Sequence, residues 1–230
     1  MKAEEQVAGD GREATRCGET PHAAGSGQLR TGRALPVAED FYTIQGEGHN
    51  TGRAAYFIRL AGCDVRCPWC DAKYTWNAGG IPYTDIGEVV ARAAASGAPC
   101  AVITGGEPLM HPLGPLTEAL KAHGMEVLLE TSGTHPPQGS FDWICLSPKR
   151  QAPPLDAVCR MADELKVVIA TADDFAWAET CAARTGSGCL LYLQPEWSRF
   201  AEATALVAEY AKARPQWRIS LQTHKFMDIP

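Results

Sequence analysis

The sequence has no excess of positive charge: Lys and Arg total 21 against 27 Asp and Glu, a formal net charge of −6. A protein that gripped nucleic acid chiefly through its phosphates would need a strongly basic surface, so that class of partner is excluded. No apolar run approaches the ~18 residues needed to cross a bilayer, which excludes a membrane partner of that kind. The first residues lack the apolar stretch of a secretory signal, and Glu4, Glu5, Asp10, Glu13 and Glu19 are out of place in a mitochondrial presequence. An even set of cysteines is missing too, since there are nine. Without a secretory signal, an odd count points to reduced thiols in the cytoplasm rather than to a disulfide framework.

What is present is a chain of 230 residues, 45 % hydrophobic, long enough to bury a core as one domain. Residues 1–34 are rich in Gly, Ala, Ser and Thr without apolar periodicity. They read as a disordered tail, or as an extension from a start codon placed too early, and Cys17 lies idle within them. From Leu35 onward, apolar runs alternate with amphipathic stretches. The pattern predicts strands over Ala54–Leu60, Cys100–Thr104, Glu126–Glu130, Trp143–Ser147, Leu165–Ala170, Cys189–Gln194 and Arg218–Gln222. It predicts helices over Asp85–Ser96, Leu113–His123, Asp173–Arg184 and Ser198–Ala213. Asp85 and Glu88 have capping-box spacing, and Gly124 is a C-terminal stop. Repeated strand–helix–strand order makes this an α/β protein with a largely parallel sheet, open or curled into a barrel. Ligands of such sheets bind beyond the carboxyl ends of the strands, so the chemically active residues are expected there.

Directly after the first predicted strand comes Cys63-Asp64-Val65-Arg66-Cys67-Pro68-Trp69-Cys70, a Cys-x3-Cys-x2-Cys spacing. A loop of this kind can wrap three thiolates around one inorganic centre, one ligand short of the four usual for a [4Fe–4S] cluster or structural zinc. The remaining cysteines do not supply the fourth. Cys100, Cys145 and Cys189 fall in predicted strands and Cys159 and Cys181 in or near helical segments, where a thiol is a small buried hydrophobe. An iron left with a vacant site can bind a substrate or cofactor. Spacing alone leaves two alternatives open: zinc completed by His49 or His111, and three free thiols in a loop.

Cys-x3-Cys-x2-Cys with Trp69 before the last cysteine resembles the radical S-adenosylmethionine (SAM) enzymes. Thr104-Gly105-Gly106-Glu107-Pro108, at the end of the second predicted strand, is similar to the GGE motif of that superfamily, where adjacent glycines let backbone approach a ligand closely. The likeness narrows along the chain. Phe41-Tyr42-Thr43-Ile44-Gln45-Gly46-Glu47-Gly48, Gly52-Arg53 and Phe57-Ile58-Arg59-Leu60-Ala61-Gly62-Cys63 resemble the opening of the 7-carboxy-7-deazaguanine synthase family. So do Cys70-Asp71-Ala72-Lys73-Tyr74-Thr75-Trp76, Glu130-Thr131-Ser132-Gly133-Thr134, Ser147-Pro148-Lys149, Leu193-Gln194-Pro195-Glu196, and the ending Ser220-Leu221-Gln222-Thr223-His224-Lys225 through Ile229-Pro230.

The resemblance implies a partial, open TIM-like barrel of about six parallel strands with fewer helices, as a catalytic domain over 35–230. It implies an ammonia-releasing carbon–nitrogen lyase of queuosine and 7-deazapurine biosynthesis, contracting the ring of 6-carboxy-5,6,7,8-tetrahydropterin to 7-carboxy-7-deazaguanine. A 5′-deoxyadenosyl radical from SAM would take a hydrogen from C6 and later recover it, so SAM is a recycled cofactor. Cys63, Cys67 and Cys70 would hold the [4Fe–4S] cluster. Substrate contacts carried over are Ile44, Gln45, Gly46, Glu47, Arg59, Thr104, His224 and the carboxylate of Pro230; Gln45 and Glu47 suit the amide and amino edge of a pterin and Arg59 its carboxylate. SAM contacts carried over are Trp69, Asp71, Gly106, Glu130, Ser147, Pro148, Lys149, Gln194, Pro195, Glu196 and Trp197. Many family members have at position 72 a Thr whose hydroxyl ligates Mg2+; Ala72 lacks it, leaving substrate and water, with Thr75 a substitute ligand, or no Mg2+ at all. A flavodoxin-type electron donor and a homodimer are further implied. The rival readings are a glycyl-radical-enzyme activase, disfavoured by the opening and ending segments, and a metal-binding module without catalysis.

Overall fold

The computed structural model describes residues 31–230. The expected tail and Cys17 therefore lie, up to residue 30, outside the described residues. The fold itself begins a residue before the expected boundary, because Ala34 is already buried and paired with Asp85.

Nine strands form one sheet: β1 Ala34–Ile44, β2 Ala54–Leu60, β3 Tyr83–Asp85, β4 Cys100–Gly105, β5 Glu126–Thr131, β6 Trp143–Leu146, β7 Glu164–Ile169, β8 Leu190–Pro195 and β9 Trp217–Ile219. Their spatial order is β3-β1-β2-β4-β5-β6-β7-β8-β9. From β2 to β9 the order follows the chain and every pairing is parallel, which makes seven parallel strands rather than about six. β1 pairs antiparallel with both β2 and β3. The sheet does not close on itself, since β3 and β9 are its two edges.

Helices α1 Ile86–Ala95, α2 Gly114–Ala122, α3 Asp156–Met161, α4 Asp174–Ala182 and α5 Phe200–Ala213 lie in the crossovers, and α6 Thr223–Met227 follows β9. The β5–β6 connection carries no helix, so helices are fewer than strands, as expected. Asp85 caps α1 by accepting from Gly87 N at 2.8 Å, one residue short of the Glu88 position a capping box would use. The three-residue turn before α5 is capped by Glu196, which shortens the helix expected from Ser198.

The parallel strands are buried on both faces. Odd residues of β7 (Leu165, Val167, Ile169) join α4 and α5 in one apolar cluster, while Tyr56, Ile58, Leu60, Ala101 and Ile103 join α1 and α2 in another. The opposite face turns inward, where Ala55, Cys100, Val102 and Leu128 pack with Phe57 and Trp143. Cys100, Cys145, Cys159 and Cys181 are buried as expected; Cys189 is only half-buried, in the turn before β8 rather than within it.

β1 was not expected, because its alternation is interrupted by Pro36 and by a register shift between Val37 and Glu39. α3 is too short, at six residues, to show helical periodicity. Arg218–Gln222 pairs only through Ile219, after which the chain turns inward. Ile103, fully buried between β4 and the helices, tests the helix-side packing. Ile103→Ala is expected to lower unfolding free energy by about 3 kcal/mol, read from urea unfolding; a loss below about 1 kcal/mol would show that the site collapses around the truncation.

Candidate active site

Side chains of a strand alternate between faces, so residues two apart share one. That places Arg59, Thr104, Glu130, Lys166 and Gln194, from five different strands, around one interior cavity of about 480 Å³. The volume lies in the ~300–1,000 Å³ range of small-molecule sites. Arg59 and Thr104 are register partners on β2 and β4. A second cavity of about 460 Å³ adjoins the first and shares Glu47, Cys67, Cys70, Asp71, Lys149 and Gln194 with it.

The β1–β2 hairpin loop, residues 45–53, supplies the floor. It lies at the amino ends of the parallel strands, opposite the end where ligand-binding residues were expected. From there it reaches the far edge of the sheet: Thr223 N donates to Gly46 O at 2.9 Å and Gly48 N to Ser220 Oγ at 2.9 Å. His49 N donates to Glu164 Oε2 at 3.1 Å, at the start of β7. Gly46 has to be glycine, because a Cβ there would sit 2.3 Å from His224 Nδ1.

On this floor Gln45 and Glu47 meet Glu130 and Lys166. The Lys166 ammonium, 3 % exposed, donates to Glu47 Oε2 at 2.8 Å and to Glu130 Oε2 at 2.9 Å. Gln222 Nε2 donates to Glu47 Oε1 at 2.8 Å, and Gln45 Nε2 to Glu130 Oε1 at 3.4 Å. Burial works against ionising Glu47, but Lys166 and Gln222 outweigh it and hold its carboxyl at about 2. Burial pushes Glu130 upward against the same ammonium. Burial would also discharge Lys166, yet Cys145 and the surrounding carboxylates raise it well above the ordinary lysine range. Burial lowers His224, so its imidazole is neutral near pH 7.

Arg59 pairs through Nε with Glu39 Oε1 at 2.7 Å, and the same oxygen accepts from Tyr74 OH at 2.5 Å. The guanidinium stacks 6.0 Å from the Phe41 ring, and its two terminal amino groups are left to the cavity. Ile44, Gly46, Thr104, His224 and Pro230 line this same cavity, so all eight expected substrate residues are brought together.

Cys63, Cys67 and Cys70 line its other wall. Gln151 Nε2 donates to Cys67 Sγ at 3.4 Å, the kind of bond that stabilises a thiolate held by iron. Among the described residues no three His, Cys, Asp or Glu side chains converge as ligands of one ion would. Three thiols on one cavity wall can each take a different iron of a polynuclear cluster. Neither zinc-completing histidine faces the cavity: His111 Nε2 bonds Ala61 O at 2.8 Å, and His49 stacks on Trp143.

The glycine pair works first on the cysteine loop. A Cβ on Gly106 would lie 2.1 Å from Gly62 O, and Gly105 has φ +131°. Glu107 is spent on structure: Oε1 accepts from Leu109 N and Thr131 Oγ1 at 3.0 and 2.6 Å, and Oε2 from Ser132 N and Oγ at 2.8 and 2.5 Å. It ties the end of β4 to the end of β5, beneath the loop that carries Cys63.

Of the expected SAM residues, Asp71, Gly106, Glu130, Ser147, Lys149 and Gln194 line the first cavity, and Trp69, Pro195, Glu196 and Trp197 the second. Pro148 lines neither. Glu130 is half-buried and pairs with Lys166. Both Glu196 oxygens are taken by Ser198, from N at 3.0 Å and Oγ at 2.6 Å. Lys149 Nζ donates to Ser147 O and Oγ at 2.6 and 2.7 Å. Thr75 is not available as a substitute metal ligand: it is fully buried, lines neither cavity, and its hydroxyl donates to Ala72 O at 2.7 Å.

Lys166 and Gln222 were missed. The signal for Lys166 was present: Glu164 and Lys166 are polar at alternate positions of an otherwise apolar parallel strand, where an inward charge marks a site. Gln222 lies in the ending segment that carries the resemblance, but nothing there pointed to Glu47; the turn after β9 brings the two together.

The sequence model of the Radical SAM superfamily matches residues 57–144, which include the cysteine loop and the Gly-Gly-Glu segment. Fold and loop together define a radical SAM protein, a class that implies a [4Fe–4S] cluster and SAM. The chain is 48 % identical over 202 residues to the 7-carboxy-7-deazaguanine synthase of Flavobacterium psychrophilum, covering 88 % of this chain and 96 % of that one. It is 48 % identical to that of Synechocystis, covering 85 % and 94 %, and 36 % identical to that of Escherichia coli, covering 84 % and 98 %. The crystal structure of QueE from Escherichia coli matches with a TM-score of 0.74 at 34 % identity, covering 87 % of this chain and 99 % of that one. The chain belongs to the 7-carboxy-7-deazaguanine synthase family.

Glu107→Gln would set an amide donor against the donors of Thr131 and Ser132. A loss of about 3 kcal/mol in unfolding free energy is expected, checked by denaturant titration; unchanged stability would mean that the four hydrogen bonds do not hold β4 to β5.

Proposed function

We propose that the protein converts 6-carboxy-5,6,7,8-tetrahydropterin to 7-carboxy-7-deazaguanine with release of ammonia, as a carbon–nitrogen lyase of 7-deazapurine biosynthesis. The observation that carries this reading is the single cavity that sets Arg59, Gln45, Glu47, Thr104 and His224 against the wall of Cys63, Cys67 and Cys70. A small polar heterocycle bearing a carboxylate fits such a lining.

Each side chain has a task in that reading. Glu47, held as an anion, accepts from the amino and ring N–H groups of the pterin. Gln45 supplies one donor and one acceptor beside it. The free amino groups of Arg59 take the substrate carboxylate, while Glu39 and Phe41 fix the guanidinium plane. Neutral His224 and the Pro230 end close the remaining side. Cys63, Cys67 and Cys70 would bind three irons of a [4Fe–4S] cluster and leave the fourth for SAM. Lys149 places a cation beside the thiols, suited to the SAM carboxylate, and Glu130 accepts from its ribose. When bound, cluster and cofactor supply the carbon-centred radical that begins the reaction; the protein binds, orients and keeps water out.

The electron donor is proposed to be of flavodoxin type, and the enzyme to act in the cytoplasm as a homodimer; these rest on the family resemblance. A catalytically silent metal-binding module is disfavoured by a substrate-sized cavity adjoining the thiols. The deciding experiment is anaerobic incubation of reconstituted protein with carboxytetrahydropterin, SAM and a reductant. Carboxydeazaguanine is expected by mass spectrometry, and Cys67→Ala is expected to abolish it together with cluster absorbance. Cleavage of SAM without consumption of the pterin would sink the assignment.

Position 72 gives a second test. Ala72 offers no side-chain oxygen and its carbonyl is already taken by Thr75. Turnover is therefore expected to change less than about twofold with Mg2+, an ion that keeps several of its waters. Ala72→Thr should strengthen the dependence. Strong Mg2+ stimulation of the unmodified protein would contradict this.

A further inference from the structure

Lys166 belongs to none of the motifs that carry the resemblance, yet it is among the most enclosed charges in the site. An ammonium has three N–H donors. Two of them are used here, one on Glu47 at 2.8 Å from the floor loop and one on Glu130 at 2.9 Å from β5. These carboxylates come from segments 83 residues apart, as 130 less 47 gives, and the hydrogen bonds that join them run through this one nitrogen and through Gln45. Gln45 touches the Glu130 carboxylate only at 3.4 Å and reaches Glu47 through its backbone N at 3.2 Å, while Gln222 bonds the Glu47 carboxylate but not Glu130, so the ammonium alone bonds both carboxylates.

We propose that Lys166 is a positioning residue shared by the substrate and the cofactor, fixing Glu47 for the pterin and Glu130 for the SAM ribose. The proposal rests on the ligand assignments given for those two glutamates. Two facts argue against a role in stability alone. The buried cluster holds two carboxylates for one ammonium, and its carboxylates face a cavity rather than packed side chains. A pair kept only for folding gains nothing by facing space, since a buried ion pair returns little beyond its desolvation. With the ammonium in place, Glu47 stays an anion and both acceptors are aimed before either ligand arrives, which removes part of the cost of ordering them on binding.

The test is equilibrium binding by titration calorimetry on anaerobically reconstituted protein, using carboxytetrahydropterin without reductant, and SAM separately. Lys166→Met keeps an unbranched side chain, one atom shorter, and removes the charge. It is expected to weaken both ligands at least tenfold. Because Lys166 acts through its partners, Glu130→Gln and Lys166→Met/Glu130→Gln should bind SAM within threefold of each other. Glu47→Gln and Lys166→Met/Glu47→Gln should likewise agree for the pterin. If the single variant does not fold, Lys166→Met/Glu130→Gln removes one charge of each sign. Compared with Glu130→Gln alone, it should bind the pterin at least tenfold more weakly. Equal pterin affinities in that comparison, or Lys166→Met affinities within twofold of native for either ligand, overturn the proposal. So do fully additive effects in the two cycles. Native protein that binds neither ligand overturns the ligand assignments and the proposal with them. Native binding with unmoved variants overturns the proposal alone.

Discussion

Charges inside a parallel sheet must be kept from water without being left unpaired. In this protein both conditions depend on the hairpin loop of residues 45–53. An open sheet leaves a gap between its first parallel strand and its last. The loop crosses that gap and is held there by Thr223 N donating to Gly46 O and Gly48 N donating to Ser220 Oγ. Its own Glu47 then completes the ion cluster with Lys166 and Glu130. Without the loop, Lys166 would keep Glu130 but lose Glu47. The cavity, the aim of the acceptors and the low proton affinity of Glu47 follow from one segment of irregular backbone.

The opposite end of the cavity is built on different terms. The cysteine loop rests first on backbone, Gly106 N donating to Leu60 O at 2.8 Å and Glu107 N to Gly62 O at 2.8 Å, with Gln151 on Cys67 and His135 on Asp64 adding side-chain ties. Two glycines make that approach possible, and the Glu107 carboxylate locks the strand ends beneath it. Floor and rim thus divide the work. One places charge, and the other places sulfur.

Much of this was legible in the sequence. Seven of the nine strands were anticipated, β2 with its limits intact, because parallel strands are apolar runs bounded by turn residues. The cysteine spacing and the Gly-Gly-Glu segment marked the rim. β1 was hidden by Pro36 and a register shift, and α3 and α6 by their brevity. Gln45 and Glu47 were named by resemblance, but the rule that ligands gather at carboxyl ends pointed to the wrong end of the sheet for them. Nothing local in Glu47 or Gln222 announces that they meet across the open sheet; that is a property of topology. Lys166 could have been found by asking why a buried strand alternates charge with Leu and Val.

The bonds that close the floor join residues far apart in the chain: Thr223 Oγ1 donates to Gly46 O across a separation of 177 residues. During synthesis the amino-terminal part of a chain emerges and begins to fold first. The cysteine loop, the Gly-Gly-Glu turn and α1 can therefore form while His224 and Pro230 are still to be made. Closing a ligand-sized chamber needs the segment around Thr223 docked on the loop of residues 45–53. Such long-range closure is slow to form, because the chain between its ends must first be ordered. The rim closes over short chain separations, and the enclosed site over long ones.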